Sequence, residues 1–262
     1  MELPLAILFG LLIGAVVGTV GGGGAILALP VLVYVLGEGV SPATTAALIV
    51  VALGASAGAA AQARDGHVCW RVVAVFALPA VGGAYLGTLA GVEVSPRVLV
   101  LCFVPVMLAA AALTYVRGEP EIAEEGGGPA GCPEPDIAPA GATGFAVGAM
   151  TGFFGVGGGF LIVPALTVLL GLRIRRAIAT SLAIITLTGL AALASHLAEG
   201  AEPDWPLTLV LSGAAAIGAL LGTGLGRRLP ARTLARAFAV MVAAVALLLL
   251  VDVLAFGGPP LG

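Results

Sequence analysis

Residues 18–30 read GTVGGGGAILALP, and residues 152–164 read GFFGVGGGFLIVP. Six of the 13 aligned positions are identical: Gly18/Gly152, Gly21/Gly155, Gly23/Gly157, Gly24/Gly158, Leu27/Leu161 and Pro30/Pro164. Each glycine cluster interrupts an apolar stretch long enough to enter a membrane. A stretch that only spans would use Leu, Ile and Val there, because Gly weakens a helix by about 1 kcal/mol relative to Ala. Gly-interrupted apolar segments at matching places in two halves point to the substrate site of a secondary transporter.

Composition places that pattern in lipid. Of 262 residues, 60% are hydrophobic and 10% charged, against about 25% charged in a soluble domain. The chain is an integral membrane protein with the bilayer as its solvent. Its 11 basic residues are all Arg, and the net charge of −3 argues against nucleic acid as a partner. Cys69, Cys102 and Cys132 show neither CxxC nor metal-ligand spacing and read as structural. The first 36 residues lack a basic leading region and match 142–171, so they belong to the fold rather than to a removable signal.

The apolar segments are 3–36, 42–62, 70–91, 96–116, 141–171, 177–197, 205–226 and 231–256. Residues 117–140 are acidic and rich in Gly and Pro, a composition that cannot build a core and reads as a linker. The chain thus divides into a first membrane repeat (1–116), the linker, and a second repeat (141–262). The match at an offset of 134 extends to Gly37/Gly171, Ala43/Ala177 and Leu48/Leu182. Another, at 135, pairs AVGGAYLGT (80–88) with AAIGALLGT (215–223), six of nine positions agreeing. Small residues four apart in these motifs read as helix-packing surfaces.

Segments 3–36 and 141–171 exceed the roughly 20 residues that one crossing needs. Each is either one broken span or a hairpin that enters, turns at the glycines and leaves on the same side. Arginine positions arbitrate, since cytoplasmic loops are enriched in basic residues. Arg173, Arg175 and Arg176 share one loop, and Arg227, Arg228, Arg232 and Arg236 follow two crossings later, while 199–204 carries no base. In the first half the asymmetry reverses: Arg64 and Arg71 lie in the loop equivalent to 199–204. Reversed asymmetry favours inverted repeats, each with a re-entrant hairpin and three full spans. All these basic loops would then face the cytoplasm, with both termini outside.

A backbone turn at membrane depth must be buried in protein or line a polar cavity. The half-helix after each tip presents free N–H groups and its positive dipole end, which can hold an anion without a buried Lys or Arg. The candidate backbone donors are Gly21, Gly22, Gly23 and Gly24 in the first half, and Gly155, Gly157, Gly158 and Gly159 in the second. Candidate hydroxyls are Thr19 and Thr151 beside the tips, Thr44 and Thr45, and Thr180 and Ser181, with Thr186 and Thr188 beyond. Close packing through small residues, with hydroxyls bonded back to their own helices, is the competing explanation. Buried carboxylates that could relay protons are absent from the spans, and the coupling ion, Na⁺ or H⁺, stays open. The Ser195–His196 pair lacks a GxSxG context, so the sequence gives no catalytic residue, no metal ligands and no cofactor.

The glycine-cluster-then-Pro segments and RRAIATSLAIIT (175–186) resemble the sulfite exporter TauE/SafE family of bacterial membrane permeases, over essentially 5–255. The resemblance implies transport of a small sulfur-containing anion such as sulfite, sulfoacetate or another organosulfonate. Ala46–Ala47 departs from the Thr-Ser often found there in the family. The expected protein is an all-α polytopic permease of the bacterial inner membrane that binds its anion at paired Gly-rich tips with alternating access. The alternatives are an anion channel using the same tips, and a non-transporting scaffold or assembly factor.

Overall fold

The computed structural model describes residues 2–91, 96–117, 132, 134, 136–154, 159–198 and 203–255. Most of the 117–140 linker lies outside them, as do Gly155, Gly157 and Gly158. Among the described residues every regular element is helical. The first half holds α1 (Glu2–Val20), α2 (Ala25–Pro30), α3 (Val40–Arg64), α4 (Trp70–Gly91) and α5 (Pro96–Arg117). The second holds α6 (Ile137–Phe154), α7 (Gly159–Pro164), α8 (Ile174–Ala198), α9 (Trp205–Arg228) and α10 (Ala231–Ala255). Six helices (α1, α3, α4, α8, α9 and α10) are long and apolar enough to cross a membrane. Large apolar side chains such as Leu78 and Leu221 point outward from them, as a lipid solvent requires.

The repeat is visible element by element. α2 and α7 both end at a proline, and each runs into one π-helical turn, Val31–Val35 and Ala165–Leu169. A proline has no N–H and crowds the preceding turn, so the ladder after it widens to i→i+5. Leu36 N–H donates to the Val31 carbonyl and Leu170 N–H to that of Ala165. Both turns stop at a glycine with positive φ, Gly37 (+73°) and Gly171 (+66°).

α6 begins at Ile137, four residues before the apolar segment starts. Pro139 sits in its first turn, where a missing N–H breaks no helix bond, and Ala140 N–H donates to the Asp136 carbonyl.

The helices pair across the halves. α1 lies along α9, with Gly14 against Ala215 and Gly18 against Ala219. α6 lies along α4, with Gly148 against Ala80 and Gly152 against Ala84. The same two glycines and two alanines recur, and in each pair the contacts advance together along both helices. Gly83 and Gly87, with Gly218 and Gly222, form the other side of these seams. Backbone meets backbone there, the close approach that small residues allow in lipid.

Direction follows from three further contacts. Gly54 faces Ala215, Gly58 faces Thr223, and Arg227 pairs with Asp65, so α3 runs the same way as α9 and therefore as α1. Between α1 and α3 the chain must return. It does so at Gly21, whose φ of +81° is open to Gly at little cost, and Gly24 folds back onto Ile13 and Val17. α3 and α8 are counterparts at an offset of 134, yet they pack in opposite senses. Gly58 faces Leu182, Gly189 faces Ala52, and Thr45 lies near His196.

One end of the bundle collects the basic loops. Arg175 donates to the carbonyls of Gly226 (3.3 Å), Arg227 (3.1 Å) and Leu229. Arg227 also donates to the Ala61 carbonyl, and Arg236 sits 5.9 Å over the Tyr115 ring. Cys69 and Cys132 are joined by a disulfide at the same end, and Cys102 is free and exposed.

Candidate functional site

A cavity of about 300 Å³ lies between α3, α4, α6, α7 and α8. Its walls come from the parts of these helices farthest from the basic end. α4 gives Phe76, Ala80, Ala84 and Thr88, and α8 gives Ile185, Thr188, Gly189, Ala192 and His196. This spacing of three and four places each set on one helix face. The polar lining consists of Thr44, Thr88, Thr151, Thr188 and His196, and Gly159 brings backbone to the wall. Among the described lining residues none carries a fixed charge.

The hydroxyls are engaged in this state. Thr88 donates to the Ala84 carbonyl (2.9 Å), Thr151 to Gly148 (2.8 Å) and Thr188 to Ile184 (3.0 Å). A hydroxyl has one proton and rotates. A bound oxyanion can take each of these protons in exchange for a helix carbonyl that already has its N–H partner. Behind the wall, Thr45 is fully buried with its hydroxyl 3.5 Å from His196 Nδ1.

The residues singled out in the sequence divide into three groups. Thr44, Thr151 and Gly159 line the cavity. Gly21, Gly22, Gly23, Gly24, Thr180 and Ser181 lie between the cavity and the basic end. Gly22 packs directly on the Gly159 backbone, so the two glycine segments touch. Ser181 is fully buried against Gly21, and its hydroxyl donates to the Ile178 carbonyl (2.8 Å). Thr180, also fully buried, accepts the Cys69 N–H (3.1 Å). Thr19 belongs to the third group at the basic end, donating to the carbonyls of Ala15 (2.5 Å) and Gly222 (3.2 Å). Sequence reasoning does not reach Thr88 or His196 as site residues; the signal for each is its place on a small-residue face of its own helix, α4 for Thr88 and α8 for His196.

A second pocket, of only about 20 Å³, lies at the basic end beside Thr19, Gln62, His67, Arg175, Ile178 and Arg227. That is room for about one water. Gln62 and Ile178 are the 134-residue counterparts of His196 and Thr44, which line the large cavity. These two residues are thus repeat-related across the pockets, which lie at opposite ends of the bundle, one wide and one nearly closed.

Six apolar helices of spanning length around an uncharged, hydroxyl-lined cavity define a multi-pass membrane protein. The chain belongs to the sulfite exporter TauE/SafE family, whose model matches residues 6–249. It is 34% identical over 247 residues, 90% of each chain, to the probable membrane transporter protein of Xylella fastidiosa strain 9a5c. It is also 35% identical over 106 residues to the probable membrane transporter protein YunE of Bacillus subtilis, covering 40% of this chain and 37% of that one. No solved structure matches it significantly.

Proposed function

We propose that this protein is a non-catalytic secondary transporter of the bacterial inner membrane. It carries a small sulfur-containing anion such as sulfite, sulfoacetate or another organosulfonate. The anion binds in the hydroxyl-lined cavity against the second glycine tip. The two halves act as inverted repeats with re-entrant segments at 3–36 and 141–171, and the basic end faces the cytoplasm. The observation that carries this reading is the pair of unequal pockets at opposite ends of the bundle, whose linings share the repeat-related positions Thr44/Ile178 and His196/Gln62. In an alternating-access cycle the halves exchange conformations, so the small pocket opens as the large one closes. The cavity then faces outward in the conformation described here.

The sulfur anion is favoured by the family and by the chemistry of the lining. A site built from hydroxyls and backbone, without a fixed cation, suits a small oxyanion that must also leave. The test is a thermal-shift panel of sulfite, sulfate, thiosulfate, sulfoacetate, taurine and carboxylates on the purified protein. A ligand at about 100 times its Kd stabilises by roughly 2.7 kcal/mol, a shift of several degrees. Stabilisation by a sulfur oxyanion, lost in the Thr151→Val/Thr188→Val variant with its unliganded midpoint kept, is the expected result. No shift with any oxyanion would refute the site.

A further inference from the structure

The geometry points to a redox-active cysteine pair, Cys69 and Cys132, that locks the cytoplasmic end of the transporter and is opened by a cellular dithiol reductant. This inference rests on the orientation proposed above, in which the basic end faces the cytoplasm.

Position is the first support. Cys69 directly precedes α4, and Cys132 lies five residues before α6. The bond bridges chain positions 63 apart, with Cα atoms 5.7 Å from one another. α4 and α6 are already seamed backbone to backbone along their length. A covalent tie at their starts stabilises even a static pair by constraining the unfolded chain, and it also holds together two ends that must part if this end of the bundle opens. They lie at the closed end, below the cavity whose walls α4, α6 and α8 supply. Arg71 and Glu134, a solvent-exposed pair 2.6 Å apart, flank the bond on the same two segments.

Chemistry is the second support. The Arg176 guanidinium, on the first turn of α8, lies 3.0 Å from Cys132 Sγ and 3.9 Å from Cys69 Sγ. A disulfide kept only for stability needs no cation. A pair that cycles gains from one, because a guanidinium beside sulfur stabilises the thiolate formed when the bond opens. Disulfides that persist in reducing compartments are mostly transient, catalytic or redox-sensing. Third, the pair is wired to the glycine tip. Cys69 N–H holds Thr180, whose neighbour Ser181 lies against Gly21.

The step balances with a dithiol. Cys69 is 2% exposed and Cys132 is less buried, so the reductant's thiolate attacks Cys132 Sγ. The S–S bond breaks, and its electron pair leaves on Cys69 Sγ beside Arg176. The reductant's second thiolate then attacks the mixed disulfide and releases Cys132 as a thiolate. The cysteines gain two electrons, the reductant departs as a disulfide, and each thiolate takes a proton from water.

The test uses the full chain with Cys102→Ala, so that no other thiol reports. Gln62→Cys places a single probe in the narrow pocket at the basic end. Its maleimide labelling rate is compared between the disulfide-bonded chain and a Cys69→Ser/Cys132→Ser chain. If the bond holds this end closed, the unlocked chain labels about tenfold faster, the change expected when a minor state becomes the main one. Equal rates would overturn the lock. Separately, a membrane-impermeant phosphine is applied to intact cells and to inside-out vesicles, with the bond read by gel shift. Cleavage only in inside-out vesicles agrees with the proposal. Cleavage from outside the cell would overturn the orientation, and the cytoplasmic redox role with it, whatever the labelling rates show.

Discussion

Gly82 and Gly83 are neighbours under opposite constraints. A side-chain carbon on Gly83 would overlap the Phe145 carbonyl and crowd Ala149 N, whereas one on Gly82 would meet nothing within 4 Å. Gly83→Ala therefore overpacks a backbone seam, which costs about 1–3 kcal/mol. Gly82→Ala lies on the exposed face of α4 and relieves the helix of a glycine, a gain of up to about 1 kcal/mol. Thermal unfolding in detergent checks both, with the midpoint falling for Gly83→Ala and unchanged or raised for Gly82→Ala. Sequence alone separates the two, because Gly83 stands four residues from Gly87 and matches Gly218 while Gly82 matches Ile217, but it does not say which helix Gly83 meets, since that depends on the rotation of α4. The hydroxyls pose the same problem. Thr151 and Thr180 look alike beside apolar neighbours, yet one lines the cavity and the other accepts an amide from Cys69, 111 positions away.

At the scale of elements, the meeting of α8 and α9 carries the closure of the basic end. The last carbonyls of a helix lack N–H partners, and a cation near them is favourable. Arg175 answers the carbonyls of Gly226, Arg227 and Leu229 at the end of α9 from the first turn of α8. The Asp65–Arg227 pair nearby is 29% and 44% exposed and so contributes at most about 1 kcal/mol. Arg175→Ala should accordingly raise maleimide labelling of Gln62→Cys in a Cys102→Ala background that keeps the Cys69–Cys132 bond, and Asp65→Ala should change it little. Equal effects of the two would assign closure elsewhere. The helix boundaries were legible because apolar runs and prolines write them directly. The two π turns and the early start of α6 were not, since each depends on local hydrogen-bond register. The Cys69–Cys132 bond was invisible because only the packing of α4 beside α6 brings those residues together.

For the whole molecule, the 134-residue repeat was the most legible property and the cavity the least. The repeat shows because each seam needs a glycine on one helix and an alanine on the other, twice. The cavity arises from five helices, each giving a few residues at a spacing that packing would also use. Under the proposed inverted repeat, the two unequal pockets, with Thr44 and His196 at one end and Ile178 and Gln62 at the other, are the outward and inward mouths of one cycle. A molecule that alternates between them must carry its anion rather than let it flow. Counterflow in proteoliposomes measures this most directly, with labelled sulfite outside and unlabelled sulfite or an organosulfonate preloaded inside. Preloading should accelerate uptake of label, and Thr151→Val/Thr188→Val should abolish the acceleration. Uptake that is the same with and without internal anion would describe a channel, and no uptake of any oxyanion would contradict transport of this class.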